Sequence, residues 1–167
     1  VNKGSEGLNI TLMSRSGVLP EADFYCPIPY EPLSVLTESV AESEIAKGPD
    51  GLLDRIFALM VKELELADPR WCQAIAIGTL NADTLRDVWF EDRKKHGPFT
   101  WAEANLKEVE RNKCEKRTVA WRYTVLRLHE VVQAIVPSLN ERDRERFKSG
   151  LERVFIDNYA AIPPQSI

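Results

Sequence analysis

Apolar residues recur at helical spacing from about residue 32 onward, most strongly over residues 118–136. At about 100° per residue, Trp121, Val125, Leu128, Val132 and Ile135 fall in one stripe. Val119, Tyr123 and Leu126 fall on the opposite side. A helix that is apolar on two faces is buried between neighbours, so this one is expected at the centre of the fold. Upstream, Pro32 suits the first turn of a helix running to about Ala46, with Leu33, Leu36 and Val40 on one face. Gly48-Pro49-Asp50-Gly51 stops it. The next segment, about 51–66, carries Leu53, Ile56, Phe57, Met60 and Leu64 in a narrow stripe and reads as a core helix.

Asp68 followed by Pro69 has the form of a cap and first helical residue, opening a shorter helix through Trp71 and Ile75 to Gly78. Asn81 or Asp83 caps another, with Leu85, Val88 and Trp89 inward. Gly97-Pro98 breaks the chain, and Thr100 with Glu103 has capping-box spacing. From there one continuous helix to Val136 is expected, although residues 110–117 offer nothing apolar except Cys114, a pattern that a break near Asn112 also fits. Pro137 ends it, Asn140 caps the last helix, and Phe147, Leu151, Val154 and Phe155 form that helix's inner face.

The pattern therefore predicts an all-α fold: a single bundle of about six or seven helices around a long central helix at about 100–136. The helical domain spans residues 31–160, preceded by an extended arm, 1–30, and followed by a short tail, 161–167. In the arm, residues 9–13 fit a short strand, and Phe24, Tyr25 and Tyr30 alternate with Pro27 and Pro29, which hold the backbone extended. Three rings on an extended segment need a groove. The groove of the same domain is the plainer reading; as a partner-binding arm, the segment reaches a neighbouring subunit.

Charge changes this picture. The net charge is −4, but residues 1–92 carry 7 Lys/Arg against 16 Asp/Glu, residues 93–127 carry 10 against 4, and the rest 5 against 6. Such asymmetry points to an anionic partner. Arg93, Lys94, Lys95, Lys107, Arg111, Lys113, Arg117 and Arg122 are the candidates for a phosphate-tracking stripe. No base-reading motif accompanies them, so binding without sequence preference is expected. Helix-end cations that complement the dipole, mixed ion pairs along a solvated helix, and pairing with the acidic first half of the chain are the plainer explanations.

Catalytic chemistry finds little support. The two histidines, His96 and His129, sit in no HExxH or cysteine–histidine spacing, and the glycines form no phosphate loop. No metal or cofactor is expected. Trp71, Trp89 and Trp121 read as core aromatics, whereas Trp101, opening a helix beside the basic loop, is the tryptophan best placed for function. Three widely spaced cysteines suggest a reducing compartment, the cytoplasm, and neither a secretory signal nor a membrane span is visible. The run Thr118-Val119-Ala120-Trp121-Arg122, with Arg146-Phe147 and Gly150-Leu151, is faintly similar to the end of rod-shaped plant-virus coat proteins. Nothing before it matches, and no residue roles follow. The expected function is a non-enzymatic assembly protein that associates with itself through arms and holds RNA or single-stranded nucleic acid. The alternative is a protein-interaction module of the adaptor, effector or immunity kind.

Overall fold

The computed structural model describes residues 19, 21–26 and 31–159. Within them the fold is all-α and contains no β-strand. The helices are α1 (Glu38–Ala46), α2 (Leu52–Ala67), α3 (Pro69–Ala74), α4 (Leu85–Lys95), α5 (Pro98–Cys114), α6 (Ala120–Ile135), α7 (Glu141–Ser149) and α8 (Leu151–Tyr159), with short 3-10 turns at Ile77–Thr79 and Val136–Ser138. None is long and apolar enough to cross a membrane. The strand expected at 9–13, Tyr30 and the tail 161–167 lie outside the described residues.

The amphipathic stripes build the core as their spacing requires. Leu53, Ile56, Phe57, Met60 and Leu64 of α2 meet Val125, Leu128, Val132 and Ile135 of α6, with Phe147, Leu151, Val154 and Phe155 closing from α7 and α8. Contacts on α6 come from α1, α2 and α8, which explains its two apolar faces. Asn140 and Asp68 cap as their sequences indicate, accepting the amides of Asp143 at 2.8 Å and Trp71 at 3.0 Å.

Several boundaries differ from the expected ones: α3 ends at Ala74 and not at Gly78, α4 begins after Thr84 and not at an Asn81 or Asp83 cap, and four others have identifiable causes. The first helix begins at Glu38 instead of beside Pro32, because the amides of Ser34, Val35 and Leu36 turn in to donate to the buried Glu63 carboxylate at 2.9, 2.6 and 3.1 Å. Thr37 is its cap. The helix expected to start at Thr100 starts at Pro98, with Gly97 as cap residue. The long helix over 100–136 is two helices. Lys116 turns left-handed at φ 51°, and the Arg117 amide returns to the Asn112 carbonyl at 2.8 Å, closing α5 as a left-handed C-terminal motif does. The last helix is likewise split at Gly150, which sits so close to α4's approach that a Cβ there would lie 2.6 Å from the Ala82 carbonyl oxygen.

The arm's described part packs on its own domain. Ala22 and Phe24 are buried, and Tyr25 is half-buried, so Phe24 is not available to a neighbouring subunit. Glu21, at the start of this segment, is 5% exposed.

Three substitutions test this account by urea melts. Leu128→Ala, at a fully buried position, should cost about 2–5 kcal/mol. Gly150→Ala should cost about 1–3 kcal/mol, since a backbone carbonyl must move. Glu63→Ala, which orphans three amides, should cost about 2–4 kcal/mol, with each orphaned donor worth about 1–3 kcal/mol. Losses under about 0.5 kcal/mol would contradict the packing described.

Candidate ligand pocket

Four helices and the arm converge on one cavity. The Asp68 cap and Pro69 start α3 so that Trp71 projects at its first turn. In α4, Trp89 and Arg93 stand four residues apart and share a face. On α5, Trp101, Asn105 and Glu108 follow one another at spacings of four and three and share a face. The first turn of α6 supplies Trp121 and Arg122. Together with Glu21 they line a cavity of about 440 Å³.

Three of its tryptophans form a packed wall. Trp71 and Trp121 stack at 4.6 Å between ring centroids with planes 7° apart, and Trp89 meets them edge-on at 6.0 and 5.0 Å. Trp101 stands apart from that stack, with the Arg93 guanidinium 4.6 Å from its ring centre. The Arg122 guanidinium lies 4.9 Å from the Trp121 ring, so both buried cations also rest on aromatic faces.

Beneath the aromatics lies a charged cluster. Arg122 grips Glu21 in a two-pronged pair, both contacts at 2.9 Å. Arg93 reaches the same Glu21 at 2.9 Å and also Asp157 of α8, with one bond at 2.6 Å and a second through Nη2 to Oδ2. The Trp89 indole N–H donates to Asp157 at 3.0 Å. Burial pushes the Glu21 carboxyl up from its ordinary range, while the Arg122 and Arg93 charges pull the other way without cancelling it. Asn105 accepts the Ala22 amide at 2.8 Å and Asn158 donates to the Arg122 carbonyl at 3.2 Å, so arm, α5, α6 and α8 are tied at this point.

Two of the eight stripe candidates, Arg93 and Arg122, are therefore inside, at 4% and 6% exposure. They lie on the apolar faces of their helices, where a cation is tolerated only against carboxylates. Lys94, Lys95, Lys107, Arg111, Lys113 and Arg117 are exposed, with Lys95 on Glu91 at 2.8 Å and Arg117 near Glu115 at 3.5 Å. Trp101, singled out by its position, does line the cavity. The residues that sequence reasoning missed are Glu21, Asn105 and Asp157. Arg122 beside the Trp121 stripe was the available signal, because an arginine on a core face requires a buried acid.

Among the described residues no group of three or more His, Cys, Asp or Glu is placed to hold a metal ion. Burial, followed by the nearby acids Glu65 and Asp68, pushes the Cys72 thiol up to about 11, which leaves it protonated near neutral pH.

Comparison with known proteins places the chain within a family. Over 166 residues, 99% of the chain, it is 63% identical to the uncharacterised protein YdhS of Escherichia coli strain K12. The chain covers 31% of that relative, about a third of its length. No solved structure matches. Beside a match of that extent, the faint likeness to the end of coat proteins carries no weight. The family model of the YdhS-like middle domain matches residues 37–159, and the chain belongs to that family.

Proposed function

We propose that this domain binds a small planar ligand in the tryptophan-lined cavity and performs no chemistry of its own. The observation that carries this reading is the convergence of all four of the chain's tryptophans on one cavity of about 440 Å³. That volume lies within the range of about 300–1,000 Å³ typical of small-molecule sites, which pair apolar walls with a few placed polar groups. Packing alone accounts for Trp71, Trp89 and Trp121, which lean on the core. It does not account for Trp101, which lies outside the hydrophobic cluster and shares the cavity with two arginines.

The nucleic-acid and assembly reading draws less support. Its stripe loses Arg93 and Arg122 to the interior, and its arm loses Phe24 to the domain's own core. Cys72 and Cys114 are unbridged, which supports the reducing, cytoplasmic setting proposed for the domain.

The test is a titration with planar probes, indole and adenosine, following the indole N–H resonances by NMR. At about 1 mM probe, the signals of the cavity tryptophans should shift together. Trp101→Ala should weaken binding by about 1–3 kcal/mol, the usual worth of one stacking face. Probes that move none of the four indole signals would remove this reading. Retention on heparin with steep salt dependence would then put the exposed lysines forward.

A further inference from the structure

We propose that the groove between α1 and α6 docks a basic amphipathic helix of a separate protein, apolar along one face and flanked by lysines or arginines. The groove shares no lining residue with the tryptophan-lined cavity and does not rest on that cavity holding a ligand.

Helical spacing builds the groove. On α1, Glu38, Ala41, Glu42 and Ile45 recur at i, i+3, i+4 and i+7 and share a face; on α6, Arg127, Glu130, Val131 and Ala134 repeat the same pattern. The two helices pack against each other, and these faces line two adjoining cavities of about 500 and 340 Å³ that have Glu38, Glu130 and Val131 in common. From Arg127 to Ala134 the α6 face runs for about 10 Å, roughly two helical turns.

The floor is apolar and open. Leu36, Ala41 and Ile135 are buried and close its bottom, while Ile45 and Val131 are half-buried and Ala134 is exposed, so apolar surface remains for a partner to cover. A third helix laid along two others, its apolar face down, is a recurring use of such a groove.

Charge selects the partner. The lining carries Glu31, Glu38, Glu42 and Glu130, all exposed, against Arg127 alone, so four acids less one cation leave a formal charge of −3. None of the four carboxylates pairs with a cation among the described residues. Arg127 spends its Nη atoms on the Glu31 and Pro32 carbonyls and the Thr124 hydroxyl. The acids do not converge either, since no group of three or more His, Cys, Asp or Glu among the described residues is placed to hold a metal ion. Carboxylates spaced along an apolar floor match cations spaced along the edges of an apolar helix face, and they repel a nucleic acid.

The test uses synthetic peptides of about fourteen residues, roughly four helical turns, added to the whole chain. One has leucine on one face and lysine on the other, one has glutamate in place of lysine, and one has the leucines and lysines in scrambled order. Binding is read from the backbone amide NMR signals of α1 and α6. The leucine–lysine helix should shift them and should bind at least about tenfold more tightly than either control, since the controls lack the charge match or the apolar face. Replacing Glu38, Glu42 and Glu130 together with Gln should weaken that binding by about tenfold, with each exposed pair contributing a few-fold. A melting temperature shows that the variant is folded, and the comparison of peptides on the unaltered chain decides the matter if it is not.

Equal binding of the lysine and glutamate peptides overturns the proposal, and so does equal binding of the scrambled one. Shifts that avoid α1 and α6, or binding undiminished in the folded triple variant, also overturn it. A dimeric mass without peptide that falls to a monomer in the triple variant gives the groove to a second copy of this chain and overturns it as well.

Discussion

The fold depends on the Glu21 carboxylate being held by two arginines from different helices. Arg122 comes from the first turn of α6, Arg93 from the end of α4, and Arg93 continues to Asp157 on α8. Burying such a group is costly, and well-packed apolar residues in its place often serve stability as well. Removing one partner is different, because it strands the others in the interior at a cost of about 3–5 kcal/mol. The cluster therefore acts as a registry device. It fixes where the segment 21–26 crosses the bundle and sets α4, α6 and α8 at one spacing around the cavity, which helix stripes alone leave adjustable.

The same cluster explains why the charge pattern pointed away from the site. Ten cations in residues 93–127 suggest a surface field, but several are engaged locally. Arg93 and Arg122 are neutralised inside. Arg127 donates to the Glu31 and Pro32 carbonyls at 3.2 Å and lies 4.5 Å from the Tyr123 ring centre. Arg117 closes α5 through Asn112 at 3.1 and 2.8 Å. A count along the chain treats every charge as solvated; the fold uses these as fasteners. The exposed remainder is a smaller field than composition implies.

How much was legible follows from which forces act locally. The α2 and α6 stripes, the Asp68-Pro69 start and the Asn140 cap depend on near neighbours, and they stand where periodicity and capping rules put them. The break at Gly150 depends on a tertiary contact, an Ala82 carbonyl from a distant segment, whereas the break at Lys116 is a local left-handed turn, with the Arg117 amide returning to the Asn112 carbonyl, that no glycine marks in the sequence. The start of α1 was hidden because the group that unwinds residues 34–36, Glu63, lies about a helix and a turn further along the sequence. Trp101 was legible from its place at a helix opening beside a basic loop. Glu21 and Asp157 were not, since nothing near either residue announces partners 64 to 101 positions away along the chain.

Buried polar groups are not treated alike across the fold. Glu63 is 3% exposed and meets three backbone amides; Asp143 is 4% exposed and takes Arg146 at 2.9 Å. Arg146 itself spans Asp54, Asp83 and Asp143, and those bonds hold its proton more firmly than in free arginine. Around α2 and α7 the buried contacts are closed in this way, whereas the unpartnered buried atoms Asn105 Nδ2, Arg122 Nε and Asn158 Oδ1 gather where the arm, α5, α6 and α8 meet beside the tryptophan-lined cavity.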